Sequence, residues 1–128
     1  MLTAIALAAS ALVIDYCPGG RVDLYADAIA RETRPVQITG LAVSACTMYL
    51  GAKDVCVTPN ARFEFHPPAI HGARSEAERQ AVYRWAVDTL KSHYPPAVAN
   101  WYESEVISKG GFYVIKGSEM IRLGVKAC

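Results

Sequence analysis

A chain of 128 residues, 52% hydrophobic and 20% charged, has the length of one domain and the composition of a globular one. That excludes a multidomain machine, a disordered segment and a collagen-like or mucin-like chain. Lysine and arginine number 13 against 12 aspartates and glutamates, and the signs are interleaved, so no basic face is offered to a phosphate backbone or an anionic membrane. Nucleic-acid binding is disfavoured on that ground.

Residues 1–11 (MLTAIALAASA) are apolar, end in small side chains and are too short to cross a bilayer as a helix. These features suit the apolar and cleavage regions of a secretory signal, although no Lys or Arg precedes Arg21 to supply a positive n-region. The expectation is a signal segment over 1–11, a single domain over 12–128, no stable membrane span, and export to the periplasm or the medium. The alternative is a buried helix or strand, which a continuous apolar run fits equally. The four cysteines, Cys17, Cys46, Cys56 and Cys128, lack the C-x-x-C and histidine spacing of a zinc site, so no metal is expected. An even count behind a signal fits two disulfides, with three pairings open; reduced thiols in the cytosol are the alternative.

Residues 11–16 (ALVIDY) are β-branched and aromatic and stop at Cys17-Pro18-Gly19-Gly20, so a strand is expected to end in a tight loop. From 21 to 32 the apolar residues Val22, Leu24, Tyr25, Ala28 and Ile29 recur at helical spacing. A short strand over 36–39 (VQIT) follows Pro35. Gly40 is read as a turn, and 44–50 as a buried helix. Strands are expected at 55–57 and 62–66 (RFEFH), the second with Phe63 and Phe65 on one face. Ser75, with Glu78 three residues later, forms a capping box for a helix over 76–93. A second helix over 97–108, a turn at Gly110 and Gly111, a strand over 112–115 and a last helical turn closed by Gly124 complete the chain. Alternating strands and helices define an α/β layered domain with mostly parallel strands and crossover helices.

Ser44 and His66 are the informative pair, each at a junction between elements. A serine hydroxyl needs a base to become a nucleophile, and an imidazole is the side chain suited to that role. A helix cap and a strand-end histidine are the plain alternatives. Gly19 and Gly20, just before a helix N-terminus, let backbone N–H groups approach a ligand, and Ala45 N–H, one residue past Ser44, could supply a second donor to an oxyanion. Trp85 and Trp101 are expected in the core, and His71 and His93 on the surface. Glu76, Glu78, Arg79 and Arg84 are expected on a solvated helix face.

The strings Pro18-Gly19-Gly20, Gly40-Leu41-Ala42-Val43-Ser44-Ala45, and Pro59-Asn60-Ala61-Arg62 leading to His66-Pro67 resemble the Clp-protease/crotonase-like superfamily in order and context. Ser44-Ala45-Cys46-Thr47, Cys56-Val57-Thr58-Pro59, Phe65-His66, Tyr94-Pro95, Trp101, Gly110-Gly111 and Cys128 are more closely similar to its small exported bacterial members. The resemblance implies a serine hydrolase of peptidase type with Ser44 as nucleophile, His66 as general base and the N–H groups of Gly20 and Ala45 as oxyanion hole. A peptide or other acyl compound would be the substrate, with no cofactor and a homo-oligomer by analogy. Where the proteolytic relatives carry an Asp as third member this chain has Ser108, with Glu103 and Glu105 nearby in sequence. A peptide- or partner-binding module that has lost turnover is the alternative. The crotonase use of the fold ranks below both, since nothing suggests a coenzyme A site. The layout of the family fold also implies Cys46 paired with Cys56, and with it Cys17 with Cys128.

Overall fold

The structure, a computed structural model, describes residues 10–128; all but the last two residues of the expected signal segment lie outside them. The order is β1 (Leu12–Cys17), α1 (Val22–Arg31), β2 (Val36–Val43), a 3-10 helix (Ser44–Gly51), β3 (Val55–Val57), β4 (Arg62–Phe65), α2 (Glu76–Ser92), α3 (Pro96–Trp101), a π-helical stretch (Tyr102–Ile107), β5 (Tyr113–Lys116) and α4 (Gly117–Arg122). These make one mixed α/β sheet of five strands in which β1, β3 and β4 each pair parallel with β2, and β5 runs antiparallel to β4.

The sheet is organised by β2, which is twice as long as the strand expected from VQIT because the chain does not turn at Gly40. Its first half pairs with β3 (Val36↔Val55, Ile38↔Val57) and its second with β4 (Leu41↔Arg62, Val43↔Glu64). Along its other edge the register with β1 slips between Ile14 and Tyr16, so that Ile14 faces Ile38 but Tyr16 faces Leu41. Gly40 sits at that bulge, where a Cβ would lie 1.7 Å from the Asp15 carbonyl oxygen. A glycine within a strand here marks close backbone approach, which sequence reading took for a turn.

The core lies between this sheet and the helices. Ile38, Phe63, Val57 and Val36 from the strands meet Met48, Val87, Val98, Tyr102, Val106 and Met120, all fully buried. Phe63 and Phe65 do share the inner face of β4, at 0% and 1% exposure. Ser75 Oγ accepts the Glu78 N–H at 3.1 Å, while the Glu78 carboxylate takes the Arg74 N–H in place of the reciprocal bond to Ser75. At the C-terminus Cys128 N–H donates to the Val57 carbonyl at 3.0 Å.

Two disulfides join Cys17 to Cys46 and Cys56 to Cys128. This corrects the expected Cys46–Cys56 and Cys17–Cys128 pairing. The end of β1 lies beside the end of β2, with Cys17 opposite Ala42, so Cys17 comes within reach of the 3-10 helix that follows. The C-terminal residues run beside β3 through a parallel bridge of Ala127 to Val57 and bring Cys128 to Cys56. Paired cysteines of this kind fit a chain that matures in an oxidising compartment. Among the described residues no helix is long and apolar enough to cross a membrane.

Replacing Gly40 with Ala presses a methyl group into backbone that cannot rotate away, and overpacking of this kind typically costs 1–3 kcal/mol. Urea denaturation of Gly40→Ala is expected to show a loss of about 3 kcal/mol; a loss well under about 1 kcal/mol would mean that the bulge yields easily.

Candidate active site

Strands β1, β2 and β4 run parallel, so their C-terminal ends emerge at the same edge of the sheet, where α/β folds place their ligands. The glycine loop follows β1, Ser44 follows β2 and His66 follows β4. All three positions line a single cleft of 910 Å³, with Gly20, Ser44 and His66 among its walls.

Ser44 is the one non-glycine residue with positive φ among those described, at 54°. Left-handed backbone costs a residue with a Cβ of the order of 1–2 kcal/mol, and a serine held so between a strand and a helix presents its Oγ outward. The strain is held by a buried chain of hydroxyls. Thr47 Oγ1 donates to the Ser44 carbonyl at 2.6 Å, which leaves the Tyr94 hydroxyl to donate to Thr47 Oγ1 at 2.6 Å. Thr47 is fully buried and Tyr94 nearly so. Burial pushes the Tyr94 phenol well above the ordinary tyrosine range.

The Pro18-Gly19-Gly20 loop lies directly on this turn. Gly19 has φ 90° and Gly20 φ 154°, and a Cβ on Gly19 would meet the Val43 carbonyl oxygen at 2.9 Å and Ser44 Cβ at 3.2 Å. Only glycine fits both the conformation and the space. Gly19 N–H donates to Cys46 Sγ at 3.1 Å. Gly20 faces the cleft. Ala45 is buried in the first turn of the 3-10 helix, where an N–H has no acceptor within its own helix.

His66 is half-buried just past β4. Its Nδ1 stands 2.8 Å from the Pro67 carbonyl oxygen, and because a carbonyl can only accept, Nδ1 carries the proton and Nε2 of the neutral ring is left as acceptor. One ring face packs against Phe112 with centroids 5.0 Å apart. The His66 carbonyl receives the Tyr102 hydroxyl at 2.9 Å. Tyr102 stands edge-on to Tyr94 and tilted against Phe65, and burial raises its phenol strongly. Among the described residues no hydrogen bond joins Ser44 Oγ directly to the His66 ring; the two share the cleft.

The three residues considered as third member are engaged elsewhere. Glu103 binds Arg84 at 2.6 Å and Lys91 at 3.4 Å, and the Arg84 guanidinium holds its carboxyl below the usual range. Glu105 pairs with Lys109 at 2.6 Å, and Ser108 Oγ donates to the Glu103 carbonyl at 3.1 Å. On the imidazole their place is taken by the Pro67 carbonyl, an acceptor that no side-chain motif announces.

Sequence reading also missed the far wall. Trp85, expected in the core, is 49% exposed and lines the cleft with Val82, Ala86 and Leu90, because α2 buries only Ala86, Val87 and Leu90 and turns its 82–85 side toward the opening. His71 is exposed at the cleft rim. His93 is half-buried, with Nδ1 2.8 Å from the Thr89 carbonyl. Trp101 packs edge-on against Phe65 as expected of a core residue. The charged face of α2 is exposed and internally paired through Arg79 and Glu76. Compared with models of protein families and with curated proteins, the chain matches none.

Because Tyr94 and Tyr102 hold their protons more tightly folded than unfolded, the stability they contribute is full below the ordinary phenol range near pH 10 and is lost as pH rises above it, by up to about 1.4 kcal/mol per pH unit for each. In denaturant titrations from pH 8 to 11, Tyr94→Phe is expected to lower stability by about 1 kcal/mol at pH 8 through the lost bond to Thr47, and to flatten the alkaline decline. An unchanged alkaline slope would place that decline on other groups.

Proposed function

We propose that this chain is a slow serine hydrolase that forms an acyl-enzyme on Ser44, with His66 Nε2 as general base, the Pro67 carbonyl orienting the ring through Nδ1, and the N–H groups of Gly20 and Ala45 receiving the oxyanion. The observation that carries it is the left-handed Ser44 at the end of a parallel strand, opening with His66 and the glycine loop onto one cleft. Attack by Oγ on an acyl carbon transfers its proton to Nε2, the imidazolium returns that proton to the leaving group, and water repeats the sequence to free the acid. The resemblance of the three motifs to the Clp-protease/crotonase-like superfamily supports the same assignment, and the two disulfides support export to the periplasm or beyond.

A carbonyl fixes the tautomer but carries no charge to stabilise an imidazolium, and losing a triad carboxylate costs about 10⁴-fold in kcat. The substrates that turn over should therefore be activated esters rather than peptides. The occupied carboxylates of Glu103 and Glu105 favour one second reading, a cleft that binds peptides without cleaving them.

Incubation with a fluorophosphonate followed by peptide mass spectrometry is expected to find the adduct on Ser44, and none in Ser44→Ala, whose fold should survive. Glu103→Gln and Glu105→Gln are expected to hydrolyse an activated ester within about twofold of the parent rate, since neither carboxylate serves the imidazole. Binding of peptides with no adduct would decide for the non-catalytic cleft. Labelling at a residue other than Ser44 would overturn the mechanism.

A further inference from the structure

The Cys17–Cys46 disulfide closes around the site. Cys17 is two residues before Gly19, Cys46 is two residues after Ser44, and the bridge joins them with their Cα atoms 5.9 Å apart. The Gly19 N–H rests on the sulfur of that same bridge at 3.1 Å. The loop so tethered contains two consecutive glycines at positive φ, the residues that lose most conformational freedom on ordering, in a four-residue link between β1 and α1. A loop of this kind does not hold a fixed conformation by its own preferences. It is held by the bridge, by its close approach to Val43 and Ser44, which leaves no room for a Cβ on Gly19, and by the Tyr25 hydroxyl, which donates to the Gly19 carbonyl at 3.4 Å. The second bridge, Cys56 to Cys128, joins β3 to the chain end and tethers neither the glycine loop nor the segment after Ser44.

We propose that Cys17 and Cys46 are positioning residues whose disulfide keeps the Gly19 and Gly20 backbone seated against Ser44, so that the site is assembled when the bridge is oxidised and comes apart when it is reduced. Its catalytic consequence rests on the hydrolase reading above; its structural one does not. The redox step is an exchange with a dithiol. The S–S bond breaks, Cys17 and Cys46 together take up two electrons and two protons, and the dithiol gives up two of each as it closes to its own disulfide. Freed of the bridge, the loop loses its sulfur acceptor geometry and the Gly20 N–H leaves the oxyanion position. One oxyanion donor is worth about 10²–10³-fold in kcat, so phosphonylation of Ser44 is expected to slow about 100-fold.

The experiment compares Cys17→Ser/Cys46→Ser with Cys56→Ser/Cys128→Ser, reading amide exchange at Gly19 and Gly20 by NMR and the rate of fluorophosphonate labelling. The first double variant is expected to exchange both amides faster and to label about 100-fold more slowly. The second is expected to melt at lower temperature while keeping both readouts of the parent. Should the first variant fail to fold, dithiothreitol reduction of Cys56→Ser/Cys128→Ser, in which Cys17–Cys46 is the one remaining bridge, gives the same comparison and reverses on reoxidation. Unchanged exchange at Gly19 and Gly20 after loss of the bridge overturns the proposal whatever the labelling does. Faster exchange with undiminished labelling overturns the positioning role. Faster exchange in a protein whose parent never labels supports the structural clamp and sinks the hydrolase reading alone.

Discussion

Parallel pairing of β1, β2 and β4 is the constraint from which the site descends. Strands that run the same way end on the same side, so the segments that follow them, far apart in sequence, arrive at one edge without any attraction between them. The arrangement requires β2 to serve both β3 and β4 on one edge while keeping β1 on the other. The bulge at Gly40 makes this geometrically workable, since the backbone of β1 passes there too closely for any side chain. A shorter β2 would leave Ser44 behind the edge and His66 without a partner segment.

The next layer fixes what the strands bring together, and it does so without charge. Ser44 is held in its costly conformation by the hydroxyl relay from Tyr94 through Thr47, while His66 is held by two carbonyl-centred bonds, its own oxygen on Tyr102 and its Nδ1 on the Pro67 oxygen. Tyr94 and Tyr102 stand edge-on to one another at 5.5 Å, so the supports of Ser44 and His66 are one aromatic cluster rather than two independent props. Neutral hydrogen bonds in a buried setting orient well, because breaking one strands a polar group away from water. They do not stabilise a developing positive charge as a carboxylate would, which is the physical reason the proposed hydrolase is a slow one.

Much of the element pattern was legible in the residues. The strand before Cys17, the helix after the glycines, the capped α2 and the Gly124 stop all follow from periodicity and local turn chemistry, which act over a few residues. Where reading failed, the deciding contact was remote. Gly40 looks like any turn glycine until Asp15 is beside it. Trp85 looks like a core residue because it is a large aromatic on a helix, yet α2 buries only Ala86, Val87 and Leu90 and leaves Trp85 exposed. A backbone carbonyl such as that of Pro67, which receives the His66 Nδ1 proton, leaves no mark in a sequence, every residue having one.

By itself, then, the sequence determined the kinds of elements, their order, and the chemistry available at Ser44, His66 and the glycine loop, since these depend on side-chain type and near-neighbour spacing. Tertiary structure alone decided which segments meet. Four cysteines permit three pairings, and only the juxtaposition of β1 with the end of β2, and of the chain end with β3, selects Cys17–Cys46 and Cys56–Cys128. The same holds for Glu103, whose carboxylate was drawn to Arg84 and Lys91 on α2. Which partner a charge or a thiol finds is set by distance in space, and in a parallel sheet that distance is fixed by crossover connections that bring remote segments together.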